Sequence, residues 1–186
     1  MIEGLIHLSS AFGLSTSAGL NAYIPLLMVA VLGRFTTLIQ LQEPFDALTS
    51  WWSIGALVIL LAIEVTVDKI PAVDTINDGI QTFVRPAAGA LLFASQANVI
   101  SDVSPILAVI AGLILAGGVH TAKGITRPMV TASTAGTGNW VVSIMEDVTA
   151  FFVSLMAIIL PIIIAAMLLV TGALGLNWYV KRRKMA

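Results

Sequence analysis

The sequence predicts an all-α membrane protein. It would be a polytopic bundle of about five transmembrane helices, one of them either spanning or re-entrant, plus a short amphipathic helix. Three observations lead there. Of 186 residues, 58% are hydrophobic and only 10% are charged, whereas soluble domains carry about 25% charged residues. Apolar segments of bilayer-spanning character recur along the chain, and a backbone in lipid that must satisfy its own hydrogen bonds is helical unless it closes into a barrel. Finally, Lys181, Arg182, Arg183 and Lys184 follow Trp178 and Tyr179 directly, an aromatic and basic ending suited to a membrane–water interface. At this length the chain reads as a single domain, 1–186.

The first apolar segment is expected from about Ala11 to Gly33. Its second half, Ile24 to Leu32, suits lipid, while its first half is crowded with Ser15, Thr16, Ser17, Gly19 and Asn21. The second segment runs from about Trp51 to Val67, opening on an interfacial Trp51–Trp52 pair. Val73, Ile76, Ile80, Phe83 and Val84 then repeat at helical spacing, with Asp74, Asn77, Asp78 and Gln81 between them, which predicts a short amphipathic helix over Ala72–Val84.

The third segment, Pro86 to Ile100, is rich in Ala and Gly. As a helix it reaches roughly 22 Å, short of a ~30 Å hydrocarbon core. It either recruits Phe83 and Val84 to span or is re-entrant. The fourth runs from about Val103 to Ala122. The Gly-, Ser- and Thr-rich stretch Thr131–Gly138 reads as irregular. The fifth segment, Val148 to Trp178, would reach roughly 46 Å as a straight helix, with Pro161 allowing a kink.

The basic tail places the C-terminus in the cytoplasm by the positive-inside rule. Four spans fit the loop charges better than five. Five spans, however, gather Glu64, Asp68, Lys69, Asp74, Asp78, Arg85, His120, Lys123, Arg127, Glu146 and Asp147 on one side of the membrane. There they can neutralise one another, and a charge left alone in the bilayer core costs about 2.5–3.5 kcal/mol on insertion scales. Five spans are therefore preferred. No Lys or Arg precedes Arg34, so the opening lacks the basic region of a cleavable signal peptide and is expected to be retained.

Several function classes are set aside. The chain has no cysteine, which excludes disulfide scaffolds and thiol chemistry. A net charge of −1 gives no electrostatic case for nucleic acid. His7 and His120 lack a recognised metal-ligand spacing. No nucleophile elbow, Walker A loop, zincin helix or dinucleotide fingerprint occurs. The reading is no enzyme, no cofactor and no metal.

The chemistry-bearing residues are ionisable groups on apolar helices. Glu64 lies inside the run Leu57–Val67 and shares a helix face with Asp68. An intramembrane carboxylate marks a functional site by default; the blander reading is a structural pair with Lys123 or Arg127. His120, Lys123 and Arg127 form one basic stripe, suited to proton relay at His120, or else they mark a helix end at the headgroups. Glu146 and Asp147 either join such a cluster or favour a helix N-terminus by its dipole.

Ser15, Thr16, Ser17 and Asn21 would line a hydrated path or serve close helix packing. Ser133–Trp140 echoes Thr16–Tyr23, as an internal repeat with broken helices would, or by coincidence among small residues. Ser15/Gly19 and Ala108/Gly112/Ala116 have the small-residue spacing that brings helices together in lipid.

The stretch Glu64–Asp74, with Asn77-Asp78 and Arg85–Ala90 after it, resembles the bacterial membrane family catalogued as domain of unknown function 4126. Gly13–Tyr23 and Ser143–Asp147 also fit, so the similarity covers most of the chain. Met129–Trp140 departs from the family's pattern by lacking an internal proline. The resemblance implies a compact polytopic fold in the bacterial cytoplasmic (inner) membrane and brings no established activity.

The leading expectation is a small channel or transporter for an ion, a proton or a small polar solute. Glu64, Asp68, Asp74 and Asp78 would bind a cation or proton, and His120, Lys123 and Arg127 would tune them. At this size a homo-oligomer is expected, surrounded by membrane lipids. The alternative is an accessory subunit or lipid-binding component of a larger membrane complex, with the basic stripe gripping a headgroup.

Overall fold

The computed structural model of the protein describes the backbone of residues 2–67, 71–97 and 104–185, and the side chains of residues 4–67, 77–97, 104–161 and 163. Every regular element among these residues is helical. In chain order they are α1 (Ile2–Leu20), α2 (Tyr23–Phe35), a 3-10 turn (Phe45–Thr49), α3 (Trp51–Val67), α4 (Pro71–Ala97), α5 (Pro105–Thr134) and α6 (Asn139–Met185). The helical class is as expected, but the helices do not follow the expected segments one for one.

The segment expected as one span from Ala11 to Gly33 is two helices, divided at Asn21. The Asn21 N–H still donates to the Ser17 carbonyl at 3.1 Å, closing α1. Its side-chain Oδ1 accepts the backbone N–H groups of Tyr23 (3.0 Å) and Ile24 (3.1 Å). A helix start leaves such donors orphaned, so one side chain ends α1 and caps α2. Pro25 then falls in the first turn of α2, where a missing N–H leaves no gap.

The amphipathic helix expected at Ala72–Val84 and the segment expected from Pro86 are one helix, α4, with Pro86 inside it. Proline removes the helical donor for the carbonyl of Thr82. The helix continues because α5 and α1 pack along it, and tertiary packing supplies most helix stability in proteins.

Helix α5 runs on past Ala122 to Thr134, and α6 starts more than two turns before Val148. Of the stretch expected to be irregular, only residues 135–138 form a turn. Ala135 (φ 52°) and Gly136 (φ 84°) are left-handed, and the Gly136 N–H donates to the Thr131 carbonyl at 3.0 Å, the usual closure of a helix by αL residues.

Two stretches, Pro105–Thr134 and Asn139–Pro161, are long and apolar enough to cross a membrane. Only 17% and 22% of their most apolar windows are buried within the protein, little for the core helices of a soluble fold. Helices α2 and α3 are apolar but shorter.

Helix α1 lies against α4, α5 and α6, and α2 leans on α3 and α6. The α4–α5 crossing is very close. A Cβ added at Gly112 would run into the Gly89 carbonyl, and one added at Gly89 into Ala116. Small residues allow this approach, and Ser15 of α1 donates to the Gly89 carbonyl at 2.8 Å from the third side. The crossing sets the polar faces of α4 and α5 against each other, which builds the site.

Candidate buried charge cluster

Asp78, Gln81, Thr82 and Arg85 fall at i, i+3, i+4 and i+7 on α4 and so share a face. His120, Lys123 and Arg127 make the matching stripe on α5. Helix α3 brings Glu64, and α6 brings Glu146 and Asp147. The result is a cluster built from four helices, closed on the α1 side by the break at Asn21.

Its inner part is centred on Arg85, which is fully buried. Arg85 Nη2 donates to Glu64 Oε1 at 3.0 Å, and Glu64 is 1% exposed. Arg85 Nη1 lies 3.2 Å from His120 Nδ1. On the other side of the ring, His120 Nε2 is 3.1 Å from Thr82 Oγ1. The Thr82 hydroxyl donates to the Asp78 carbonyl at 2.8 Å. With guanidinium and hydroxyl so engaged, the imidazole must accept at Nδ1 and donate at Nε2, a neutral ring of defined tautomer. The Tyr23 hydroxyl is hydrogen-bonded to the Gln81 side chain and lies within electrostatic reach of Glu64 and Arg85.

The outer part is centred on Glu146. Its Oε2 accepts from Lys123 Nζ at 2.9 Å and from Arg127 Nη2 at 2.9 Å. Arg127 Nη1 also stands 3.7 Å from Asp78 Oδ2, and Lys123 Nζ reaches the Leu20 carbonyl at 3.5 Å, at the end of α1. Lys123 and Arg127 are 5% and 6% exposed. They therefore point into the protein instead of marking a helix end at headgroups. Asp147 Oδ1 accepts the Asn21 side-chain amide at 2.9 Å. Because α6 begins at Asn139, Glu146 and Asp147 are past its first turn, and the expected stabilisation by the helix dipole does not apply to them.

Of the residues expected to carry chemistry, the structure brings together Glu64, Asp78, His120, Lys123, Arg127, Glu146, Asp147 and Asn21. Glu64 pairs with Arg85. Asp68 lies outside the described residues, as does the side chain of Asp74. Ser15 and Ser17 sit in helix contacts: Ser17 is buried and bonded at 2.8 Å to both the Ala150 carbonyl and Ser154 Oγ of α6. Thr16 bonds back to the Phe12 carbonyl on the exposed face of α1. Both halves of the Thr16–Tyr23 and Ser133–Trp140 echo fall at helix junctions, but with different bonds. Asn21 caps the following helix, whereas Asn139 Oδ1 accepts the Thr131 hydroxyl at 3.0 Å.

Residues 8–181 match the family described as Domain of unknown function (DUF4126). The chain belongs to this family. No curated protein and no solved structure matches it. The match spans every helix that contributes to the cluster, so the cluster lies within the part of the chain that defines DUF4126 membership.

Sequence reasoning left Arg85, Thr82, Gln81 and Tyr23 out of the site. The signal for the first three was present in the spacing from Asp78 to Arg85. It was lost by ending the amphipathic helix before Pro86, which cut Arg85 off from the face it completes. Nothing local marked Tyr23, which enters only because the chain breaks at Asn21.

Proposed function

We propose that this DUF4126 protein is a small multi-pass integral membrane channel or transporter for an ion, a proton or a small polar solute, and that the Glu64–Arg85–His120 cluster lies on its path. The observation that carries the reading is the burial of Glu64 on the apolar α3 against Arg85 on the amphipathic α4, next to an imidazole. Burying a charge pair is expensive even when it is well made, and an apolar pair of the same volume is often as stable. Ionisable groups inside membrane bundles characteristically mark ion and proton routes. The arrangement offers a carboxylate gripped by a guanidinium, beside a ring able to take up a proton at Nδ1 once Arg85 moves away.

The surroundings support a bilayer setting. Trp52 is 90% exposed, Phe83 78% and Ile106 71%, surfaces suited to lipid tails or to another copy of the chain. In this reading the protein sits in the bacterial inner membrane as a homo-oligomer, with its basic C-terminus in the cytoplasm.

The test is flux in proteoliposomes. Wild-type protein should move protons or a small monovalent ion down a gradient, and Glu64→Gln should lower that flux several-fold. Gly124→Ala, where an added Cβ meets nothing within 4 Å, leaves the cluster intact and serves as the control for the effect of substitution itself. Equal flux from wild type and Glu64→Gln, with both monodisperse, would remove Glu64 from any path.

A further inference from the structure

Two of the cluster's buried polar atoms without a hydrogen-bond partner among the described residues are Oε1 of Gln81 and Nε of Arg85. Gln81 is 2% exposed and Arg85 fully buried. The two residues stand one turn apart on the same face of α4, and the Tyr23 hydroxyl is hydrogen-bonded to the Gln81 side chain. Buried acceptors and donors are almost always satisfied, by protein or by an ordered water. Here the described residues supply neither a donor for Gln81 Oε1 nor an acceptor for Arg85 Nε.

We infer that a water molecule resides between Tyr23, Gln81 and Arg85, donating to Gln81 Oε1 and accepting from Arg85 Nε. The required chemistry is narrow. The occupant must donate and accept from a single small centre, beside two side chains that are both withdrawn from the surface. Rotating the Gln81 amide would replace the orphaned acceptor by an orphaned donor, and water satisfies either. Three polar neighbours is also the usual number for a buried water. The site is separate from the direct ion pairs, since the Nη atoms of Arg85 already serve Glu64 and His120. It puts a polar, exchangeable molecule against the guanidinium that grips Glu64.

X-ray radiolytic labelling of the full chain in lipid nanodiscs tests this, because hydroxyl radicals formed from a bound water oxidise the side chains beside it. Tyr23, only 9% exposed, should oxidise several-fold faster than Phe93, which is 3% exposed and packed among apolar neighbours. Gln81→Leu should bring Tyr23 down to the Phe93 rate, and Gln81→Glu, which keeps an acceptor, should preserve the labelling. Tyr23 oxidising no faster than Phe93 in the wild type would overturn the proposal. So would unchanged Tyr23 labelling in Gln81→Leu, which would mark access from bulk solvent. The readout needs no transport, so its outcome is distinguishable from that of the flux experiment.

Discussion

Arg85 and Glu64 meet at 3.0 Å with both side chains withdrawn from the surface, joining α3 to α4 where the two helices otherwise touch little. Removing one partner strands the other. Glu64→Leu should destabilise the protein by about 3–5 kcal/mol, and Arg85→Met by a similar amount. The double substitution should recover most of the loss, because no uncompensated charge remains. Unfolding titrations of the four proteins in one detergent would give the cycle. Additive losses would show that the pair does not act as a unit.

Glu146 serves two cations with one oxygen, while each cation has another neighbour. Lys123→Met leaves Glu146 paired with Arg127 and should be mild. Glu146→Gln removes the carboxylate that both bases share and should lower the melting temperature further. Comparing the two by thermal unfolding checks the hierarchy, and equal losses would contradict the shared role of Oε2.

His120 should be neutral and protonated at Nε2, because Arg85 donates to Nδ1. The ¹⁵N shifts of labelled histidine in membranes distinguish the two tautomers, and His7→Gln assigns the signal. A proton on Nδ1 would be incompatible with the Arg85 contact as described.

The α4–α5 crossing predicts a contrast between glycines on one helix. Gly112→Ala meets the Gly89 backbone and should cost about 1–3 kcal/mol through overpacking. Gly124→Ala meets nothing within 4 Å and should stabilise by about 0.5–1 kcal/mol, as alanine does in a helix interior. Thermal unfolding of the two variants reads the difference directly.

The helical class and several of the apolar stretches were legible because apolar surface is written into composition. The α5 stripe was legible too, since His120, Lys123 and Arg127 lie within one uninterrupted helix. The reach of the helices was not. Pro86 is a local breaker that tertiary packing overrode, while the Gly/Thr-rich run after Thr131 breaks the helix only at residues 135–138. The break at Asn21 was hidden for the opposite reason: it lies between two stretches that are each fully compatible with helix. Partner choice was also beyond the sequence. Glu64 found Arg85 only because α4 is long enough to carry Arg85 back to α3.

Asn21 is tied in two directions, forward to the backbone of α2 and sideways to Asp147. The break in the chain is thus a joint with a tether. Any swing of α2 against α1 must either snap the two backbone bonds or drag α6 along with it. Tyr23, two residues on, would travel with that swing and shift its hydroxyl relative to Gln81. A displacement at the α1–α2 elbow is in this way geared mechanically to both ends of the ionic cluster.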